Sequence, residues 1–467
     1  MTAPRMRRGA IPLAGPRAPT APRGMGGRLA APVQRVQSLF AGVHWSLAFI
    51  AFAAYVYSIT SYKVAIGTEA MVVALLTLPM ERTGLRFAQP MAWMIAFVAW
   101  SALGVTMTDY PELVWNEVIE LAKIAAVMFV ATNVITTRAR FRFFLVFMLG
   151  ICAAYPVRGT LINYFLVGET LVGRAIWNHI YSNPNDLAAY CLLSISLTFA
   201  LLANERTRWI RVCAGLGEGI LALIILLTQS RGAFVGAALF GLIAFRERMK
   251  KFKRLIMPAI AGMIILMFVP DSAWKRFGTI GNAADGAAVS NVDAGSAEAR
   301  MQIWKVAVAV IQDNPITGVG WGAYQEAHYR MALGNGFGPL AFGRRDAHST
   351  YLRVMAETGI VGFACFAGLI VATLVRAERQ RRRSRATHPE LAIQLGYLEL
   401  GLVAFLIAGI WGSYGNLVFL YLHLSLIHVG TQLLAGASKQ QAPTPRGRML
   451  PGRSRPADGP YRRRFAS

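Results

Sequence analysis

Apolar stretches of roughly 17–22 residues recur along this chain from Phe40 to Ala435, each long enough to cross a hydrocarbon layer about 30 Å thick. Residues 91–107, 212–228, 353–375 and 417–435 are the clearest. A chain surrounded by lipid has to satisfy its backbone hydrogen bonds internally, and apolar runs of this length do so as helices rather than as a barrel. Hydrophobic residues make up 55% of the chain and the mean hydropathy is +0.44, beyond the ordinary range of a soluble domain this size. The expected fold class is therefore all-α, a polytopic integral membrane protein.

The formal net charge of +25 raises the question of a nucleic-acid partner. The Lys and Arg residues lie in clusters between apolar segments, not on an amphipathic face, so no nucleic acid is expected and membrane lipids are the expected surroundings. Spans are expected at 38–58, 62–79, 91–108, 113–133, 142–162, 186–203, 211–228, 232–247, 254–270, 350–375, 392–412 and 415–436. If the first crosses outward, Arg82/Arg86, Arg138/Arg140/Arg142, Arg206/Arg208/Arg211, Arg246–Arg254 and Arg376–Arg385 all fall on the inner side. About twelve transmembrane helices with both termini inside satisfy that rule.

Two outer connections are long, 163–185 and 271–349. The second opens with a Gly-, Ala-, Ser- and Asn-rich loop (278–297). An amphipathic pattern follows from Glu298 to Asp313, with Met301, Trp304, Val308 and Ile311 on one face, and Asn314-Pro315 ends it. The expected organisation is a disordered basic arm over 1–37, helices one to nine over 38–270 and an outer helical cap over 271–349. Helices ten to twelve over 350–436 and a disordered basic tail over 437–467 complete it. Residues 1–36 lack an apolar core segment, so no signal peptide is expected to be cleaved there.

Charged groups on the outer side should be few, and Arg158, Arg174, Arg231, Arg300, Arg330, Arg344, Arg345 and His348 stand out. Arg231 lies in Thr228-Gln-Ser-Arg-Gly-Ala233, a tight turn between apolar spans, where a bound anion or snorkelling toward lipid phosphate would balance its charge. Gly232 permits close approach at this turn. Arg174 precedes Asn183-Pro-Asn-Asp186, a turn with Asn183 or Asn185 as the helix cap. His348 stands in Arg344-Arg345-Asp346-Ala347-His348-Ser349, just before a span. A neutral imidazole there can accept a proton at ambient pH, with Asp346 either orienting it or pairing with arginine. Glu117, Glu120 and Lys123 share a face of the fourth span, where mutual pairing and polar-ligand binding are both open. All four cysteines (Cys152, Cys191, Cys213, Cys365) fall in expected spans, so neither a disulfide framework nor a zinc site is expected. The Gly318-Val-Gly-Trp-Gly322 run lacks a preceding strand and reads as a turn.

These motifs resemble the bacterial O-antigen ligase and polysaccharide polymerase superfamily. His348-Ser349, nine residues, then Gly359-Ile-Val-Gly362 is similar to the ligase signature, and Thr350-Tyr-Leu-Arg-Val-Met-Ala-Glu-Thr-Gly359 is typical of it. Ser230-Arg-Gly-Ala233, Asn183-Pro-Asn-Asp-Leu-Ala188 and Arg300-Met-Gln-Ile-Trp304 leading to Asn314-Pro-Ile-Thr-Gly-Val-Gly320 also agree in order, across roughly 40–436.

The resemblance implies a GT-C-type glycosyltransferase of the bacterial inner membrane that acts at the periplasmic face in lipopolysaccharide biosynthesis, without metal or other cofactor and with inversion. The donor it implies is a glycan on undecaprenyl diphosphate, and the acceptor a sugar hydroxyl of lipid A–core. His348 matches the family histidine and is the expected catalytic base, while Arg231 matches the arginine of the outer hairpin. Arg231 and Arg174 are expected to clamp the diphosphate; Arg158, Arg344 and Arg345 are further candidates. Guanidinium groups suit a leaving diphosphate because they form bidentate, charge-assisted bonds. The same chemistry with another acceptor defines a repeat-unit polymerase or an O-linked protein oligosaccharyltransferase. A lipid-linked glycan transporter is a third class, for which ionisable groups such as Glu69 and Glu218 would be relevant.

Overall fold

The computed structural model describes residues 40–81, 84–246, 291–334 and 336–441. The expected arm over 1–37, the ninth span at 254–270, the cap loop up to 290 and the tail from 442 lie outside the described residues. The chain divides into two compact units, Met1–Val43 and His44–Ser467. Of the first, Phe40–Val43 is described: a turn in which the Val43 N–H donates to the Phe40 carbonyl at 3.1 Å. Everything below concerns the second.

Among the described residues of the second unit, the regular structure is helical apart from one two-stranded hairpin. In order come α1 (Leu47–Ser61), α2 (Gly67–Thr77), α3 (Gln89–Leu103), α4 (Pro111–Val134) and α5 (Arg138–Val167), which contains π-helical turns at Ala153–Val157 and Asn163–Val167. The hairpin β1 (Thr170–Leu171) and β2 (Arg174–Ala175) leads to α6 (Pro184–Asn204), α7 (Arg208–Leu227) and α8 (Arg231–Arg246). Beyond the gap lie α9 (Asn291–Asp313), α10 (Tyr324–Gly334), α11 (Thr350–Ser384), α12 (Pro389–Ala408) and α13 (Val418–Gln441). Among the described residues, 7 helices are long and apolar enough to cross a membrane, and α1, α2 and α8 are shorter apolar helices. Large side chains such as Leu76, Ile95, Leu216, Leu242 and Val371 point outward from them. An apolar exterior of this extent needs lipid as its solvent. The chain is thus a polytopic membrane protein.

α6 is the hub, buried along nearly its whole length, with α12, α7, α5 and α8 against it. Its start is fixed by Asn183, whose side chain accepts from the Asn185 N–H at 2.9 Å. Gln394 of α12 ties into its far end, donating to the Ala200 carbonyl at 2.9 Å and accepting from Asn204 at 2.8 Å.

The connections gather at two ends. At one end Arg140 pairs with Glu81 and Arg142 with Glu205, at 3.1 and 2.8 Å. At the other, Tyr62 stacks on His179, Thr108 donates to the Val319 carbonyl, and Arg174 donates to the Thr228 carbonyl.

α11 is broken at Gly359, whose φ of 61° and ψ of −169° lie outside the helical region. The break frees carbonyls that a continuous helix would bond to itself. The Val319 and Gly320 N–H groups take those of Ala356 and Glu357, both at 2.9 Å, and the Trp100 indole takes that of Thr358 at 2.8 Å. In return the Ile360 N–H donates to the Pro315 carbonyl at 2.9 Å. The glycine run read as a turn is therefore also an extended partner for a helix break, as irregular backbone at membrane depth requires. A Cβ on Gly359 would come within 2.1 Å of the Ile316 carbonyl oxygen, so the loop reaches the helix only over glycine.

The amphipathic face of α9 differs from expectation. Ile303, Val306, Ala307 and Val310 are buried, while Met301 and Val308 are exposed. Both sets have helical spacing because α9 is apolar on two sides; packing on α10 and α11 selected the first.

Candidate active site

Three arginines from three elements converge where α6, α8, α9 and the α12–α13 connection meet. Arg174, Arg231 and Arg300 line one small cavity together with Asn185, Gln229 and Trp411. β2 presents Arg174, and two bonds fix its guanidinium: Nε donates to the Thr228 carbonyl at 2.7 Å and Nη2 to the Asn185 side chain at 2.7 Å. Asn185 thus holds the arginine while Asn183 caps the helix. Gln229 in turn donates to the Gly173 carbonyl at 3.2 Å, tying the hairpin to the α7–α8 turn.

Arg231 is the first residue of α8. The first amides of a helix have no acceptor within it and carry its positive end, so the cavity wall adds backbone donors to the guanidinium groups. The close approach that Gly232 permits is made by α12: a Cβ there would lie 3.2 Å from both the Ala408 carbonyl oxygen and the Trp411 ring. Arg300, on α9, completes the trio.

His348 stands at the start of α11 in the left-handed region, with φ 47°. Gln229 shares that conformation at φ 52°. Non-glycine residues held this way carry strain that surrounding contacts must impose, and such strain concentrates at working sites. The contacts are visible. Asp346 accepts from the His348 backbone N–H at 3.1 Å and lies 3.5 Å from its Nδ1. The other Asp346 oxygen lies 3.5 Å from Arg353, which binds the buried Glu357 at 2.9 Å. Asp346 therefore does both things open to it, orienting the histidine and pairing with arginine. Ahead of His348, the Trp304 indole donates to the Ala347 carbonyl at 3.0 Å. Behind it, the Thr350 N–H and hydroxyl donate to the Gly409 and Gly412 carbonyls at 2.8 and 2.6 Å.

Burial lowers the His348 pKa from its ordinary value; the charges of Arg300, Arg345 and Arg174 lower it further, against Asp346. The imidazole is consequently neutral at physiological pH, with Nε2 opposite the nitrogen that faces Asp346. Burial likewise raises the Tyr414 phenol, which feels Arg174 and Arg300 and donates to the Asn185 carbonyl at 3.2 Å.

The other candidates lie apart. Arg344 pairs with Glu326 at 2.6 Å, and Arg345 donates to the Phe342 carbonyl at 3.0 Å, reaching His348 through its field alone. Arg158 is exposed on α5 and does not line the cavity. Lys123 pairs with Glu120 at 2.6 Å on the surface, the mutual pairing left open by the sequence. Arg330 is held by Asp109 and the Tyr110 ring. Arg300 was visible in sequence as an outer arginine in a family-like stretch, but nothing there joined it to Arg174 and Arg231. Trp411 and Tyr414 carried no signal.

No curated protein matches the chain. A family model described as O-antigen ligase matches residues 219–367, roughly a third of the chain. Arg231, Arg300, His348 and both glycines of the Gly359–Gly362 signature fall inside the matched stretch, so this part of the chain is similar to the O-antigen ligase family.

Proposed function

We propose that this protein is an O-antigen ligase that transfers a glycan from undecaprenyl diphosphate to a sugar hydroxyl of lipid A–core at the periplasmic face of the inner membrane. The observation that carries this reading is the convergence of Arg174, Arg231 and Arg300 on one cavity, with the charges of Arg174 and Arg300 acting on a neutral histidine. Such a set is built to receive a polyanion, and the arginines supply positive charge that a divalent cation would otherwise bring. In the step proposed, the acceptor oxygen bonds to the anomeric carbon as its bond to the diphosphate oxygen breaks. The bonding pair leaves with the diphosphate, facing the arginines, and the hydroxyl proton passes to Nε2 of His348. Attack opposite the leaving group inverts the anomeric centre. Asp346, held by Arg353, keeps the imidazole oriented through its other edge.

The test is transfer from an undecaprenyl-diphosphate-linked glycan to purified lipid A–core by the full chain in nanodiscs, with EDTA present. His348→Ala should lower the rate by about 10²–10⁴-fold while donor binding persists. Arg231→Ala and Arg300→Ala should each weaken donor binding by about tenfold or more. Full activity in membrane-inserted His348→Ala protein would overturn the mechanism. Donor consumption without lipid A–core, yielding a lengthened glycan, would assign a polymerase, and transfer only to protein would assign an oligosaccharyltransferase.

A further inference from the structure

At the end of the bundle away from His348, α11 and α13 enclose a second basic cavity with the first residue of α3. Arg376, Arg379 and Arg383 line it together with His428 and Gln432, around about 370 Å³. At about 30 Å³ per water this has room for roughly a dozen waters, enough for a phosphodiester headgroup. The three arginines are spaced three and four residues apart, so one face of α11 carries them all.

Their neighbours on the same helix are treated differently. Arg381 is bound by Glu378 and by Glu399, the latter at 3.0 Å, and Arg382 by Glu378. Among the described residues, no carboxylate pairs with Arg376, Arg379 or Arg383. Outside them the chain carries four acids, Glu247, Asp271, Asp285 and Asp458, and 1–39 hold none. Three guanidinium groups on one wall repel one another unless an anion from elsewhere sits between them.

A second observation says what kind of anion. Val371, Val375, Arg379 and Arg383 form one row at intervals of four, all exposed, with the valines 55% and 39% accessible. The row passes from apolar to cationic as the helix leaves its span, the profile that an acyl chain ending in a phosphate would complement. We propose that this cavity binds the phosphate of an anionic phospholipid, with an acyl chain along Val371 and Val375. A free phosphate ion would use the arginines and gain nothing from the valines.

The experiment is native mass spectrometry of the delipidated full chain titrated separately with dioleoylphosphatidylglycerol, dioleoylphosphatidylcholine and inorganic phosphate. The glycerol lipid should bind saturably, one per chain, at least about tenfold more tightly than the choline lipid or the ion. Arg379→Gln/Arg383→Gln should lose that preference, whereas Arg206→Gln, exposed at the same end, should keep it. Arg383→Gln alone, at an exposed position that bonds nothing in the structure, gives a properly folded variant with a partial loss. Equal binding by the double variant and wild type overturns the site, and equal binding of inorganic phosphate overturns the lipid.

Discussion

Arg140 belongs to one of the basic clusters that set sidedness in the sequence, yet it is 2% exposed and fully engaged. It binds Glu81 at 3.1 Å, the Val134 and His44 carbonyls at 2.7 and 2.8 Å and the Ser46 hydroxyl at 2.9 Å. Arg140→Ala should therefore cost about 3–5 kcal/mol of stability, read from denaturation in detergent, because it strands a buried carboxylate. Positive-inside counting treats all inner arginines alike, so this role was not legible; burial of one among three is decided by Glu81 and by α1 and the segment before it, which close over it. The outer arginines differ in the same way. His348 was legible from its neighbours and from the signature, whereas the meeting of residues 174, 231 and 300 is a tertiary fact. Arg345→Gln should raise the His348 pKa toward 6.5 by removing a cation. Since the neutral imidazole is the working form, the acid limb of the transfer rate should move to higher pH, visible in a pH profile between 4 and 8.

Among the elements, the broken α11 has the clearest consequence. Gly359→Ala must place a Cβ against the Ile316 carbonyl at φ 61°, and we expect it to cost at least about 2 kcal/mol and to loosen the 314–322 loop. Gly241→Ala, with open space around it in α8, should be neutral or stabilising by up to about 1 kcal/mol. Parallel melting curves distinguish the two. α10 makes a pH-dependent prediction. His328 is fully buried, neither ring nitrogen has a hydrogen-bond partner, and burial, with Arg345 adding to it, lowers its pKa to about 4. The unfolded chain binds that proton below about pH 6.5 and the folded one only below about 4, so stability falls as pH drops through this window. Protection factors over Tyr324–Gly334, which take out the slower intrinsic exchange in acid, should fall from pH 6.5 to 4.5, and His328→Phe should flatten the dependence.

Taken whole, the molecule has two chemically distinct ends joined by apolar helices, and that polarity was legible because apolar run length and charge placement are local properties. Sidedness can be read directly. In a cysteine-free background, Val172→Cys at the hairpin and Ala386→Cys at the opposite end should respond oppositely to a membrane-impermeant maleimide in intact cells. The hairpin position should label and the other should not; the reverse pattern would invert the proposed orientation. The exchange of hydrogen bonds between the glycine loop and α11 also bears on how the chain is made. Because residues 315–320 precede α11, the ribosome delivers the partner before the helix that needs it, and the interrupted segment never has to wait in lipid with bare carbonyls. A gene cut or circularly permuted between 320 and 350 would reverse that order of arrival, and its product should be handed to proteolysis even though every helix remains encoded.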